Sequence, residues 1–349
     1  MKLPSAAAGT ALLCLTPLCA TAQYAPTADP SLQIYGRLDA SVNVQKYSGE
    51  SGSRKAVSSD TSLIGFRATE QLGNGRAAYF KMESGLSVDK GTQASPAAFW
   101  NREVFVGLSD ASLGAVELGT HWTPAIWLAG KVDPFVRSQL GAQFTLLQGT
   151  GVRGYAVQFA NSVAYVSPNL AGLQGRVMLQ APEGALGKNR ALGLDYARDR
   201  LFVGLSYDDT EATGASVGQP LVGATRSKTL GVGATYRFDA AKLFGYVQQN
   251  RVANLSNVNG YLVGVAVPVG PGEFRASYAH TNRSNAQASL AAVGYNYFLS
   301  KRSLVYATVA QLDNSGTAAF GMWPSSQDFT APRGGQDIKG MQFGVRHTF

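Results

Sequence analysis

Apolar and polar residues alternate with a period of two along most of this chain. Residues 32–46 set Leu38, Ala40, Val42 and Val44 against Arg37, Asp39, Ser41 and Asn43, and residues 61–71 set Ile64, Phe66 and Ala68 against Gly65, Arg67 and Thr69. Residues 226–238 place Leu230, Val232, Ala234, Tyr236 and Phe238 opposite Thr229, Gly231, Gly233, Thr235 and Arg237. Tyr261, Val263, Val265 and Val267 repeat the pattern, as do Phe274, Ala276 and Tyr278. In the last stretch, Met341, Phe343, Val345, His347 and Phe349 share one face. Side chains alternate in this way on strands with two different faces, and no helical period of comparable length competes.

Connections between these segments alternate between tight and long. Gly73-Asn74-Gly75, Ser112-Leu113-Gly114, Asp199-Arg200, Gly270-Pro271-Gly272 and Ser300-Lys301-Arg302 are turn sequences; long loops fall near 47–60, 87–101, 121–155, 182–189, 210–225 and 313–337. Short turns on one rim and long loops on the other predict an all-β transmembrane antiparallel barrel of about 16 strands. A final apolar strand left as an open edge would be costly, so it is expected to pair with residues 32–46 and close the barrel. The stretch 121–155 breaks the alternation. Its Trp122, Ile126, Trp127, Phe135, Phe144, Leu146 and Leu147 are too apolar for a disordered loop, so it should fold inward against the lumen.

Composition agrees. The chain has 40 glycines, 15 tyrosines and 16 phenylalanines, with only 15% charged residues. No apolar run reaches the roughly 18 residues a spanning helix needs. Residues 1–22 read as a cleaved signal peptide: Lys2, an apolar run to Leu18, then Ala20-Thr21-Ala22. Residues 23–349 are then the barrel domain. Both cysteines, Cys14 and Cys19, lie in the signal, which excludes a disulfide framework or thiolate metal site in the mature chain. The formal net charge of +8 contains no Lys/Arg run of the kind that binds nucleic acid.

Several motifs together resemble the Gram-negative general porins of the betaproteobacterial, neisserial-like type. They are Leu32-Gln33-Ile34-Tyr35-Gly36-Arg37-Leu38-Asp39-Ala40, Gly65-Phe66-Arg67-Ala68-Thr69-Glu70-Gln71-Leu72-Gly73, and Asn161-Ser162-Val163-Ala164-Tyr165. Tyr297-Phe298-Leu299-Ser300-Lys301-Arg302-Ser303 and Val345-Arg346-His347-Thr348-Phe349 complete the set. The resemblance implies a homotrimer of sixteen-stranded barrels in the outer membrane, surrounded by its lipids and lipopolysaccharide. It implies that loop 121–155, with its Asp133-Pro134-Phe135, narrows the pore, and that Phe349 is read by the barrel-insertion machinery. The chain departs from the family pattern where selectivity is set. Gly119-Thr120-His121 replaces a usual Gly-Arg-Gln, Ser62-Leu63-Ile64-Gly65 a usual Ser-Arg-Trp-Gly, and Gln158 or Phe159 stands where the family has arginine.

The function expected is passive diffusion of ions and small hydrophilic solutes with a mild anion preference, the alternative being a solute-specific porin with a binding site at the constriction. Such a channel needs no cofactor, metal or catalytic group, only charges placed in a water-filled lumen. By parity Arg37, Arg67, Lys81 and Arg102 line it, with Asp39 and Glu83 as counter-charges; Lys131, Asp133, Arg137 and Arg153 reach in from the loop. His121 stands at the loop base, as an anchor or a pH-sensing group. The three histidines are dispersed, which argues against metal binding and catalysis.

Overall fold

The computed structural model describes residues 32–148, 155–183, 188–211, 226–253 and 256–349. The signal peptide and Arg153 lie outside the described residues. The strands run β1 Gln33–Tyr47, β2 in two pieces (Ser53–Ser59 and Leu63–Gly73), β3 Arg76–Ser87, β4 Val104–Asp110, β5 Gly114–Trp122, β6 Gln158–Val166, β7 Leu173–Gln180 and β8 Arg190–Arg198. They continue as β9 Leu201–Thr210, β10 Ser227–Arg237, β11 Lys242–Val252, β12 Val258–Val269, β13 Gly272–Arg283, β14 Ala286–Phe298, β15 Ser303–Gly316 and β16 Ile338–Thr348. Every neighbour pairs antiparallel, and β16 pairs back onto β1. The result is a closed barrel of 16 strands.

The β2 break has a local cause. Ser53–Ser59 pairs with the upper half of β1 and Leu63–Gly73 with its lower half, the register slipping by one residue between them. Thr61 takes up that slip at φ 53°. The bulge turns the Asp60 carboxylate and the Thr61 carbonyl toward the interior, and both are used there.

Closure follows the expected pairing, with Arg37 opposite Thr348 through to Tyr47 opposite Ile338. In hydrocarbon each unpaired backbone group costs several kcal/mol, so this seam decides whether the wall exists. Phe349 extends it: Gly36 N donates to Phe349 O and Phe349 N to Gly36 O, both at 3.1 Å. A Cβ on Gly36 would meet the Phe349 ring at 2.5 Å and the Leu63 carbonyl at 2.7 Å. Gly36→Leu is therefore expected to lower the yield of folded barrel severalfold, read as the heat-shifted band on gels of unboiled protein; an unchanged yield would refute this account of the seam.

The two faces of the wall differ in chemistry. Outward positions are exposed and apolar, among them Leu38, Val42, Val116, Leu118, Val232, Val263, Val309 and Phe343 at 38–55% exposure for the first seven and 59% for Phe343. Inward positions are polar or small: Asp39, Ser41, Asn43, Gln248, Asn296 and Gln342 are all at most 4% exposed. Among the described residues no helix is long and apolar enough to cross a membrane. Turns such as residues 74–75, 199–200 and 270–271 occupy one rim, and the segments that follow residues 87, 122 and 316 leave from the other. The long-loop rim is not uniform, since residues 284–285 alone join β13 to β14.

Candidate functional site

The segment after β5 is where alternation fails, and it holds a helix that the period-two reading did not anticipate. Helix α1 (Pro124–Val132) starts on Thr123, whose hydroxyl accepts from Ile126 N at 3.4 Å, with Pro124 in the first turn. Ala125, Ile126, Leu128, Ala129 and Val132 are buried. They face the inner wall of β8 to β11, while a second short helix, α2 (Phe144–Leu147), touches β12, β13 and β14. Only a segment inside the barrel meets that many strands on their polar face.

Glycines make room for it. A Cβ on Gly193 of β8 would lie 2.5 Å from Pro124, on Gly204 of β9 2.6 Å from Leu128, and on Gly233 of β10 2.7 Å from Val132. Gly264 of β12 faces Pro134, Gly260 faces Leu147, Gly294 of β14 faces Phe135, and Gly340 of β16 faces Leu140. These inward glycines form a track around the wall against which residues 124–147 pack, and sequence reasoning read them only as strand glycines.

Past α1 the chain doubles back in a tight turn. Asp133 accepts from Phe135 N at 2.9 Å, Gln143 N at 3.0 Å and Arg137 N at 3.1 Å. This holds Val136, Arg137 and Gln139 at φ 51°, 54° and 63°, a region a β-branched valine rarely visits. The turn is latched to distant strands. Gln139 N donates to Asp60 Oδ2 at 2.5 Å, Leu140 N to Gln342 Oε1 at 3.0 Å, and Arg346 Nη2 to Ser138 Oγ at 2.9 Å. A second long loop, 317–337, locks the arrangement. Trp323 Nε1 donates to Asp60 Oδ1 at 2.8 Å, and its ring meets Phe144 edge-on at 4.8 Å.

Burial pushes the Asp133 carboxyl up to about 6, with the three backbone N–H groups pulling the other way. A carboxyl raised above its unfolded value binds more protons in the docked loop than in a released one between about pH 4 and 6. Docking should therefore strengthen as pH falls through 6 and be weakest, and level, above it. Excursions to a larger conductance in single-channel records are expected to be rarer at pH 5 than at pH 7.5; the opposite order would refute the assignment.

Facing the loop across the lumen are the charges of β1 to β5. Lys81 Nζ lies 2.6 Å from Glu103 Oε2 and 3.0 Å from Glu83 Oε1, and Arg102 Nε lies 3.2 Å from Glu83 Oε2. Tyr35 OH donates to Glu83 at 2.9 Å and Trp122 N to Glu103 at 3.1 Å. These two cations and two carboxylates cancel. Arg37 is different: it donates to the Thr61 carbonyl at 2.8 Å and hydroxyl at 2.5 Å, and among the described residues contacts no carboxylate. Its neighbour Asp39 is already held by Arg346 at 2.5 Å and Tyr306 OH at 2.7 Å.

The expected lining residues divide accordingly. Arg37, Lys81 and Arg102 come together, although Glu103, just ahead of β4, takes the buried position and Arg102 precedes it, its guanidinium 5.0 Å over the Trp122 ring. Arg67 shares their face but sits at the short-turn end, opposite Gln33, to which it donates at 2.9 Å. Lys131 pairs with Asp195 at 2.6 Å, and Arg137 bonds Gln148 beside the 44%-exposed Val136. Two expectations need correction. Asp133 is fully buried as the clasp of the turn and lines nothing. His121 is also fully buried: it stacks on Phe105 at 4.9 Å, its Nδ1 meets Ser162 Oγ at 2.7 Å, and its Nε2 lies 3.7 Å from Glu117. It anchors the loop base in the wall. Asp60, Glu103 and Trp323 were missed, because their roles depend on a bulge, a register position and a second inward loop that no local spacing reveals.

A Gram-negative porin family model matches residues 8–317. Outer membrane porin protein 32 of Delftia acidovorans is 28% identical over 347 residues, covering 94% of this chain and 97% of the relative. Major outer membrane protein P.IB of Neisseria gonorrhoeae is 27% identical, covering 69% of this chain and 75% of the relative. The solved structure of an anion-selective porin from Comamonas acidovorans superposes with a TM-score of 0.80 at 25% identity, over 92% of this chain and all of that one. With the closed barrel and its apolar outer band, these matches make the chain a member of the Gram-negative porin family and a β-barrel of the outer membrane.

Proposed function

We propose that the barrel is a water-filled channel for passive diffusion of ions and small hydrophilic solutes, mildly anion-selective, and that it works as a homotrimer inserted through recognition of its Phe349 strand and surrounded by lipopolysaccharide. Arg37 carries the selectivity. It is a lumen cation with no carboxylate in contact among the described residues, beside a cluster whose charges cancel. The Comamonas relative is itself described as anion-selective, and porins of this family are typically trimeric. The preference is mild because Lys131 is paired and the family's further arginines are replaced in this chain.

The test is a reversal potential under a salt gradient across a planar bilayer. A shift toward the anion equilibrium potential is expected; a cation preference overturns the selectivity, and a membrane that does not conduct overturns the channel. The solute-specific alternative draws on the lumen tryptophans, since Trp122 lies under Arg102 and Trp127 under Lys81 at 5.7 Å. It requires conductance that saturates with one solute and is blocked by it.

A further inference from the structure

The lumen carries a second group of cations, away from the constriction cluster. Arg237 closes β10 directly opposite Lys242, which opens β11, and the same cross-strand row continues through Ala266 of β12 to Arg275 of β13. This row faces inward. Arg237 shares the face of Gly233, which receives Val132, and Ala266 that of Gly264, which receives Pro134. Lys242 shares the face of Gln248, which donates to the Leu147 carbonyl at 2.9 Å. Lys242 also lies two residues, about 7 Å, from Phe244, the cross-strand partner of Gly264. The row therefore runs past the end of α1 toward the short-turn rim, on the wall that carries the loop rather than on the β1–β5 wall.

Its charges do not cancel. Arg275 is held by Glu273 at 2.7 Å, and that pair is neutral. Among the described residues Arg237 and Lys242 make no ion pair or side-chain hydrogen bond, and the Lys242 ammonium has only the Phe244 ring, 4.7 Å from its centroid. The other acids at this end are committed, Asp195 to Lys131 at 2.6 Å and Asp239 to Arg200 at 2.7 Å. The charges acting on Lys242 are Arg237, Arg275 and Glu273, which sum to one further positive charge. Directly opposed residues on one face have Cβ atoms about 4.5–5.5 Å apart, and like charges there repel. Arg237 is exposed and Lys242 half-buried, so both can reach a solute in the lumen. Two such cations side by side match a doubly charged anion. The arginine fork fits two oxygens of an oxyanion, and the lysine adds a point charge.

We propose that Arg237 and Lys242 form a binding site for a small dianionic oxyanion, of which inorganic phosphate is the simplest, on the short-turn side of the constriction. The site rests on the channel reading above and extends it, since an anion admitted past Arg37 meets a second station on the opposite wall before it leaves. The anion sits between the two side chains and offsets their repulsion, and the neutral Arg275–Glu273 pair bounds the site.

The test titrates the folded full chain in detergent with labelled inorganic phosphate at pH 8, where phosphate carries two charges, and reads binding by equilibrium dialysis. Saturable binding is expected. A unit cation about 4 Å from a dianion changes its occupancy about thirtyfold in bulk water, and screening at roughly 0.1 M salt reduces this to about tenfold. Arg237→Gln and Lys242→Gln should each weaken binding by about that tenfold, whereas Lys242→Arg, which keeps the charge, should stay within about twofold of the parent. The two positions lie on different strands, so one variant that misfolds still leaves a measurement. No saturable binding by the parent, or glutamine variants that bind as the parent does, would overturn the proposal. So would a loss confined to Arg37→Gln, since the anion would then sit in the constriction. In bilayers phosphate should reduce the chloride current of the parent, and about tenfold more of it should be needed for Lys242→Gln. A chain that binds phosphate in this pattern but never conducts would remove the channel reading alone. A conducting channel whose phosphate binding ignores Arg237 and Lys242 would remove this site alone.

Discussion

Phe135→Ala is expected to unseat the loop that carries α1 and α2 while leaving the barrel intact. The ring is fully buried, lying against Gly294 of β14 and Gly141 of the loop itself. Truncating a buried phenylalanine costs about 3–5 kcal/mol because the surroundings only partly collapse. The wall does not depend on it, since its strands are held by backbone pairing in hydrocarbon. The loss falls on loop docking, which raises the released fraction by roughly two to four orders of magnitude. The hydrogen bonds that tie Gln139 to Asp60 in the β2 break, and Leu140 and Ser138 to Gln342 and Arg346 of β16, then act without the apolar anchor between them. Single-channel records should show switching between the parent level and a larger one, whereas Phe135→Leu, which keeps most of the volume, should remain close to the parent. A folded Phe135→Ala channel with the steady parent conductance would show that the polar latches alone hold the loop.

Loop seating also marks what could be read from the residue order. Outward faces were legible strand by strand because lipid demands apolar side chains at every second position, and the β1–β16 seam followed because an open edge in lipid is untenable. The inward face obeys no comparable rule. Gly193, Gly204, Gly233 and Gly264 lie on four different strands, and nothing local says that they will align under Pro124, Leu128, Val132 and Pro134. One signal was present and went unread. Thr123-Pro124 is a helix start, and Ala125, Leu128, Ala129 and Val132 follow at helical spacing, which a search for strands passes over. His121 shows the opposite failure. Its place beside the loop suggested the pore, and it does keep the face of Glu117, 3.7 Å away, but Phe105 and Ser162 close over its ring. Parity put Lys81 and Glu83 on one face, yet their neutralisation by Glu103 and Arg102 is a property of the register between β3 and β4.

The same register makes the sign of selectivity adjustable in both directions. Replacing Arg37 with glutamine keeps a donor for the Thr61 carbonyl and removes one positive charge from the lumen. A unit charge about 4 Å from a permeating ion is worth about 1 kcal/mol in bulk water and more between low-dielectric walls. The anion-to-cation permeability ratio should therefore fall by at least about fivefold. Glu103→Gln does the reverse. Its side chain can still accept from Trp122 N, and Lys81 retains Glu83 at 3.0 Å, so the cluster keeps its shape but gains one net positive charge. The ratio should rise by a similar factor. The double variant carries the parent's net charge and should return the reversal potential most of the way to its starting value. If Arg37 instead acted by holding the β2 bulge open, the double variant would remain at the Arg37→Gln value, and the net charge of the constriction would not be what selects the ion.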